Sequence, residues 1–567
     1  MISYRTLWHF SLWMILFAGC GLIPLSWAQT PSIPGSAEPG RLDADPEKLL
    51  APQKAPDIRL PDGSVVTPRI PSEAEAITFK FKGATVDGNT ALSDDELADI
   101  FAPHMGEEIK LSKVWEFAGR ITERYRAKGF FLSRAYVPAQ NVEDGTVMVS
   151  VLEGYISAVR VQGTDGQNPV FKALIKNISN EKPANIKSLE RNLLLLNDIP
   201  GLRFEAILSS GDELEEGAVE LILNQQKSQS RGSIGLDNHG SRFTGPLQVS
   251  GAYATSFLPN HETTLGGIVS VADVEELRAF SLNHKARILP TASALFSVSR
   301  TDAEPGFTLE PFDVESESFS WRVGLKKQFI RQRHTNLSAD VLFDYRDSDT
   351  DILGAATTRD RIRTLRFRLN YDTRDVFNGQ NNARLTLSQG LDGFGASDKG
   401  DANLSRAGAN PDYTTLYLNW ERQQPVAPDW LLRTTAQGQK SSGDLYASEE
   451  FGFGGPRLGR AFDSSELIGD DGIAIGLEMR FTGMAPIHNG DLTPFVFYDF
   501  GRVWNDNPGQ PGGLSASSAG VGVNYLHRSG VTADLTIAQP IVKSVDTPPF
   551  GGDGNIPRAF FQLGYTF

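Results

Sequence analysis

The chain has 567 residues, with 54 Lys and Arg against 69 Asp and Glu, a formal net charge of −15. That length exceeds what one hydrophobic core fills, so more than one domain is implied. The acidic balance argues against a nucleic-acid partner, and 40% hydrophobic content argues against a disordered chain. After residue 28 no run approaches the roughly 18 apolar residues of a spanning helix. A membrane β-barrel stays open, because its strands alternate and average out mildly polar.

The first thirty residues combine a basic start at Arg5, an apolar stretch from Leu12 to Leu25 and a small-x-small end at Ser26-Trp27-Ala28. This reads as a secretory signal, residues 1–28, cleaved before Gln29. The lipoprotein alternative would cleave before Cys20; Ala18-Gly19-Cys20 fits it, but Phe17 stands where Leu is expected. Residues 29–74 read as a linker, since nine of the 32 prolines lie between Pro31 and Pro71. One short helix fits here, with Asp45 as cap, Pro46 at its first position and Pro52 at its end.

Residues 75–154 form a small α+β module. Ile77, Phe79 and Phe81 alternate as in a strand. Ser93-Asp94-Asp95-Glu96 is a capping box, and Ser112 caps a second helix that carries Val114, Ala118, Ile121 and Tyr125 on one face. Gly129 ends that helix, and strands follow at Phe130–Val137 and Val147–Val151. Residues 155–228 repeat the order β-α-α-β-β, with a helix near Val170–Ile178, a second helix capped by Asn185 and ended by Gly201, and a hairpin joining Leu202–Ser209 to Ala218–Asn224.

From 229 to 567 helix periodicity disappears and sixteen alternating segments follow. In 364–372, Leu365, Phe367, Leu369 and Tyr371 oppose Arg366, Arg368, Asn370 and Asp372. Ile473, Ile475 and Leu477 oppose Glu478 and Arg480; Val496, Tyr498 and Phe500 oppose Phe497, Asp499 and Gly501; Phe561, Leu563, Tyr565 and Phe567 oppose Gln562 and Thr566. Polar faces carrying both signs of charge, aromatics near segment ends and a terminal aromatic favour a membrane barrel over a soluble sandwich. Longer Gly/Asp/Asn-rich loops, such as Asp392–Asn410, suit the cell exterior.

Several stretches then carry a family resemblance: Gly129–Gln140; Leu236–Ser241 with Thr244-Gly245; Ala538-Gln539-Pro540; Gly454–Phe462 followed by Gly469–Gly472 and Glu478; and Phe497-Tyr498-Asp499-Phe500-Gly501. Together they resemble the outer-membrane transporters of two-partner secretion (the TpsB family), in the superfamily that includes the barrel-assembly insertases. The resemblance implies two POTRA modules, a sixteen-stranded transmembrane β-barrel and an N-terminal helix that plugs the pore. Pro39, Gly40, Pro46 and Pro52 interrupt any long helix, so the expected plug is short or kinked and weakly held. The resemblance further implies that the loop carrying Arg460 and Phe462 folds back into the barrel, where Arg460 meets Asp499 of the Phe497–Gly501 strand motif. Gly459 stands where the family has Val and Ala461 where it has Gly, which puts the tight backbone at Ala461 in question. Independently of the family, alternation turns Asp499 into the lumen, where an arginine fork can grip it; Gly501, next on that face, leaves room for an approaching side chain.

No enzyme signature is present: His261-Glu262 is followed by Thr263-Thr264-Leu265, which breaks the two-histidine zinc motif, and no phosphate loop occurs. No catalytic residue, cofactor or metal is expected. The expected protein is a monomeric outer-membrane translocation pore of a Gram-negative bacterium, with its POTRA modules in the periplasm. It would recognise an unfolded secreted exoprotein by β-augmentation, contact outer-membrane lipids and bind no nucleic acid. An insertase of the same superfamily is the alternative, and a passive porin a more distant one.

Overall fold

The computed structural model describes residues 33–41, 46–50, 70–142, 144–163, 168–209, 215–226, 230–505, 513–542 and 556–567. The signal-peptide segment, Asp45 and Pro52 lie outside them.

Between Arg231 and Thr566, sixteen antiparallel strands close into one ring. The last strand, Arg558–Thr566, pairs with the first, Arg231–Asp237, from Thr566 opposite Ser233 to Gln562 opposite Asp237. Below that register the Gly232 N–H donates to the Phe567 carbonyl at 2.9 Å, and the Phe567 N–H donates back at 3.0 Å. Closure leaves no sheet edge, the condition for a sheet in hydrocarbon.

The expected alternation sets the two faces. Phe367, Leu369, Tyr371, Ile473, Ile475, Leu477, Val496 and Tyr498 point outward and are 40–54% exposed in the isolated chain. A continuous band of this kind finds its burial in lipid. Their strand neighbours Arg366, Glu478 and Asp499 point into the lumen. Among the described residues no helix is long and apolar enough to cross a membrane.

The two rims differ. Turns on the side where the chain enters the barrel are short, such as 332–334, 375–379 and 428–429, whereas the opposite side carries the long loops 391–413 and 442–470. Three neighbouring strands, Val314–Arg331, Thr335–Ile352 and Ala355–Arg374, contain 18, 18 and 20 residues. About ten tilted residues cross a bilayer, so these three project past it on the long-loop side.

Ahead of the barrel sit two α+β modules. The first departs from the plain β-α-α-β-β order: Thr78–Lys80 and Glu108–Lys110 pair as a separate two-stranded sheet beside the sheet of Gly83–Asp87, Thr146–Leu152 and Arg134–Tyr136. The Ser93 capping box forms, with the Ser93 hydroxyl accepting from the Glu96 N–H at 3.4 Å and the Glu96 carboxylate accepting from the Ser93 N–H at 2.9 Å. Ser112 does not cap the next helix, Lys113–Ala127: its own backbone is already helical, so its hydroxyl is turned away from the free N–H groups. The strand expected over Phe130–Val137 shrinks to Arg134–Tyr136, because Phe130–Ser133 turn back under the helix. The second module follows the expected order, with helices Pro169–Ser179 and Ile186–Asn197; Asn185 caps the latter through a bond from the Lys187 N–H.

The second module is docked on the short-turn rim. Asp198 receives both arms of the Arg331 guanidinium, at 2.7 and 2.8 Å, and Arg333 reaches Glu190 at 2.9 Å.

Residues 33–41 and 46–50 lie inside the barrel. Ala37 packs with Phe243, Leu309, Val314 and Ile352 near the long-loop rim, while Leu50 packs on Ala252 and Ala254 toward the other. The helical content is small, a turn at Pro39–Arg41 and one four-residue helix, Pro46–Leu49. A short plug is therefore present, but the expectation that it is weakly held is overturned. Arg41 donates to the carbonyls of Ala447 at 2.8 Å and Glu450 at 2.7 Å, Ser241 donates to the Ser36 carbonyl at 3.0 Å, and Arg346 donates to the Gly40 carbonyl. Proline interrupts helix without preventing side chains of the wall from binding the carbonyls of the turns it leaves.

Candidate functional site

Asp499 sits mid-strand in Gly490–Trp504, on the lumen face with Phe495, Phe497, Gly501 and Val503. Its cross-strand neighbours are Gly476 on one side and Ser518 on the other. Small neighbours on both sides leave a socket above the carboxylate. A Cβ at Gly476 would lie 2.6 Å from Leu458 and 2.9 Å from Asp499 Oδ1, so glycine is required there for the loop to approach.

Loop 442–470 fills that socket. Two short strands, Phe451–Phe453 and Leu467–Gly469, pair to form its stem. Arg460 places Nε 3.0 Å and a terminal nitrogen 3.1 Å from the two oxygens of Asp499, the bidentate fork expected. The backbone N–H groups of Gly459 and Arg460 add bonds to the same carboxylate at 3.1 and 3.2 Å. The remaining guanidinium nitrogen binds Glu478, which also accepts from Arg480. The guanidinium carbon stands 3.7 Å from the centre of the Phe497 ring, so the cation is gripped by carboxylates at its edge and an aromatic face.

Phe462 is fully buried and packs on Phe453 with ring centres 6.2 Å apart. Gly501 does leave room for an approaching side chain, but Phe453 takes it rather than Arg460: a Cβ at Gly501 would lie 2.2 Å from the Phe453 ring. The two departures from the family motif compensate each other. Gly459 carries the left-handed backbone, φ +75°, while Ala461 is buried at ordinary φ. The freedom a glycine supplies is used two residues before the position where the motif usually has it.

Further anchors carry no signature in the sequence. Asp463, just after Phe462, meets Arg558 of the last strand at 2.8 Å and Arg242 beside the first strand at 3.2 Å, while Arg242 also reaches Glu466 at 2.8 Å. At the loop's far end Arg406 forks onto Asp470. Arg242 and Arg406 lie on other loops, more than sixty residues from their partners, and nothing in local spacing announces such pairs.

Comparison with known proteins shows the family of the chain. The profile of the haemolysin secretion/activation proteins ShlB/FhaC/HecB matches residues 217–525, more than half of the chain. The chain belongs to this family. A ShlB-type POTRA domain matches residues 79–154. The heme/hemopexin transporter protein HuxB of Haemophilus influenzae is 21% identical over 470 residues, covering 81% of this chain and 82% of HuxB. The outer membrane transporter CdiB of Escherichia coli O6:K15:H31 is 22% identical over 500 residues, covering 84% and 82%. In fold, CdiB from Escherichia coli aligns with TM-score 0.71 at 19% identity over 89% of this chain and 93% of that one. BamA from Haemophilus ducreyi, lacking POTRA domains 1–3, aligns with TM-score 0.51 at 14% identity over 86% and 100%. This family member is thus an outer-membrane transporter of the two-partner secretion type, which exports a partner exoprotein, and its α+β modules are POTRA domains on the periplasmic side. The family's members are transporters, not enzymes.

Proposed function

We propose that the protein works as a monomer that captures its unfolded partner on two POTRA modules, residues 75–154 and 155–228, and passes it through the barrel, residues 229–567. Residues 29–74 serve as linker and plug. An exported chain brings unpaired backbone groups, and the modules offer outer sheet strands that can pair with them: Gly83–Asp87 and Arg134–Tyr136 in the first, Tyr155–Gln162 and Phe204–Ser209 in the second.

Within the barrel, Arg460 and Asp499, supported by Phe462, Phe497 and Gly501, act as a lock that holds loop 442–470 in its transport-competent position. The observation that carries this reading is the four hydrogen bonds that one buried carboxylate, Asp499, accepts from Gly459 and Arg460 of the loop. Loop and plug share the lumen, so passage of a chain requires one of them to move while the lock keeps the tip of the loop on the barrel wall. Folding of the partner outside makes the transfer one-way without a nucleotide.

The test is deletion of residues 75–154. The shortened protein should reach the outer membrane, fold its barrel and export no partner; normal export from the deletion would move recognition elsewhere.

A further inference from the structure

We propose that the wall of the lumen facing the plug is an anion-binding surface that attracts acidic stretches of a chain in transit; this rests on the translocation pore just described. The strands from Arg278–Leu289 to Gln380–Gly390 turn Lys285, Arg322, Lys326, Arg368 and Arg384 toward a single cavity of about 170 Å³ beside the helix Pro46–Leu49. Some of this charge is already answered: Arg322 is held by Asp344, and Glu262, also at the cavity, is taken by Arg231 at 3.3 Å. What remains facing the space is Lys285, Lys326, Arg368 and Arg384, against Asp340 of the wall and Glu47 of the plug.

The balance is positive in a chain whose formal charge is −15, so it does not follow from composition. Asp340 stands 3.7 Å from Arg368, and Arg384 bonds the neutral amide of Asn370 at 2.8 Å. Among the described residues neither Lys285 nor Lys326 forms a salt bridge, although Glu262 and Asp340 stand opposite them in register. One-sign charge on a low-dielectric wall concentrates counter-ions, and rings of Lys and Arg make pores favour anions. Among the described residues Glu47 is the plug carboxylate that lines this cavity, and a plug leaving the lumen takes it away. The vacated wall then presents four cations to one carboxylate, and an acidic peptide replaces the charge that left.

Two measurements test this on the full-length protein and on the Lys285→Gln/Lys326→Gln variant. The first is binding of a fluorescent decaglutamate, with decalysine as control, to detergent-solubilised protein. Decaglutamate should bind, decalysine should not, and the variant should bind about tenfold more weakly at low salt, the gap closing in 1 M salt. The second is the reversal potential in planar bilayers under a KCl gradient, which should be anion-selective and move toward zero in the variant. Equal binding of the two peptides, or binding unchanged by the substitutions, would overturn the proposal, as would cation-selective current. Export in cells separates the layers: a protein that exports its partner yet binds both peptides alike loses only the anion surface, whereas one that exports nothing loses the pore reading too.

Discussion

Replacing Arg460 with Ala removes both arms of the fork on Asp499 and the bond to Glu478, whose side chains are 0% and 4% exposed. Breaking a buried pair from one side costs roughly 3–5 kcal/mol. Here Asp499 keeps the Gly459 and residue-460 backbone N–H groups at 3.1 and 3.2 Å and the Ser518 hydroxyl at 3.5 Å, and Glu478 keeps Arg480. The expected loss is therefore at the lower end, about 3 kcal/mol, or about a hundredfold in the ratio of docked to undocked loop. The sixteen-strand ladder does not depend on it, so Arg460→Ala and Asp499→Ala should insert normally, gain protease sensitivity within 442–470 and export poorly. Arg460→Lys keeps the charge but not the fork and should fall between. Because the two residues act as one unit, the double variant should export no worse than either single one. Additive export defects in the double variant would show two independent residues and refute the lock.

The closed ring should resist SDS at room temperature and change its gel mobility after boiling; a single heat-independent mobility would argue against it. Arg41→Ala removes the plug's bonds to Ala447 and Glu450, and should raise pore conductance in planar bilayers, while unchanged conductance would mean the plug is held elsewhere. Asp198→Ala breaks a partly exposed fork worth about 1 kcal/mol, so hydrogen exchange in the helix Ile186–Asn197 should quicken with the barrel unaffected.

What the sequence disclosed follows the range of the forces involved. Strand faces were legible because alternation is local: Leu365 to Asp372 declares both faces within eight residues. Helix caps were mostly legible, but Ser112 shows that a capping residue does nothing when its own backbone is helical. The Arg460–Asp499 pair was named only through a family motif, since no spacing rule links a loop to a strand beyond it. The sockets that make the pair work, Gly476 and Ser518, are cross-strand neighbours fixed by register, which single-sequence reading does not supply. Helix propensity is no measure of the plug's hold, which comes from Ser241 and Arg346 binding its turn carbonyls and from its own Arg41 binding the loop.

The plug is part of the same chain as the pore it fills, with only residues 51–74 between Leu50 and the first module. A segment that leaves the lumen stays covalently attached beneath it. Its return is then a first-order event, governed by an effective concentration that for short tethers is on the order of millimolar. Resealing after each passage needs no second protein and does not slow as copies of the transporter become scarce in the membrane. A plug displaced in this way would be returned by chain connectivity, at a rate set by tether length rather than by abundance.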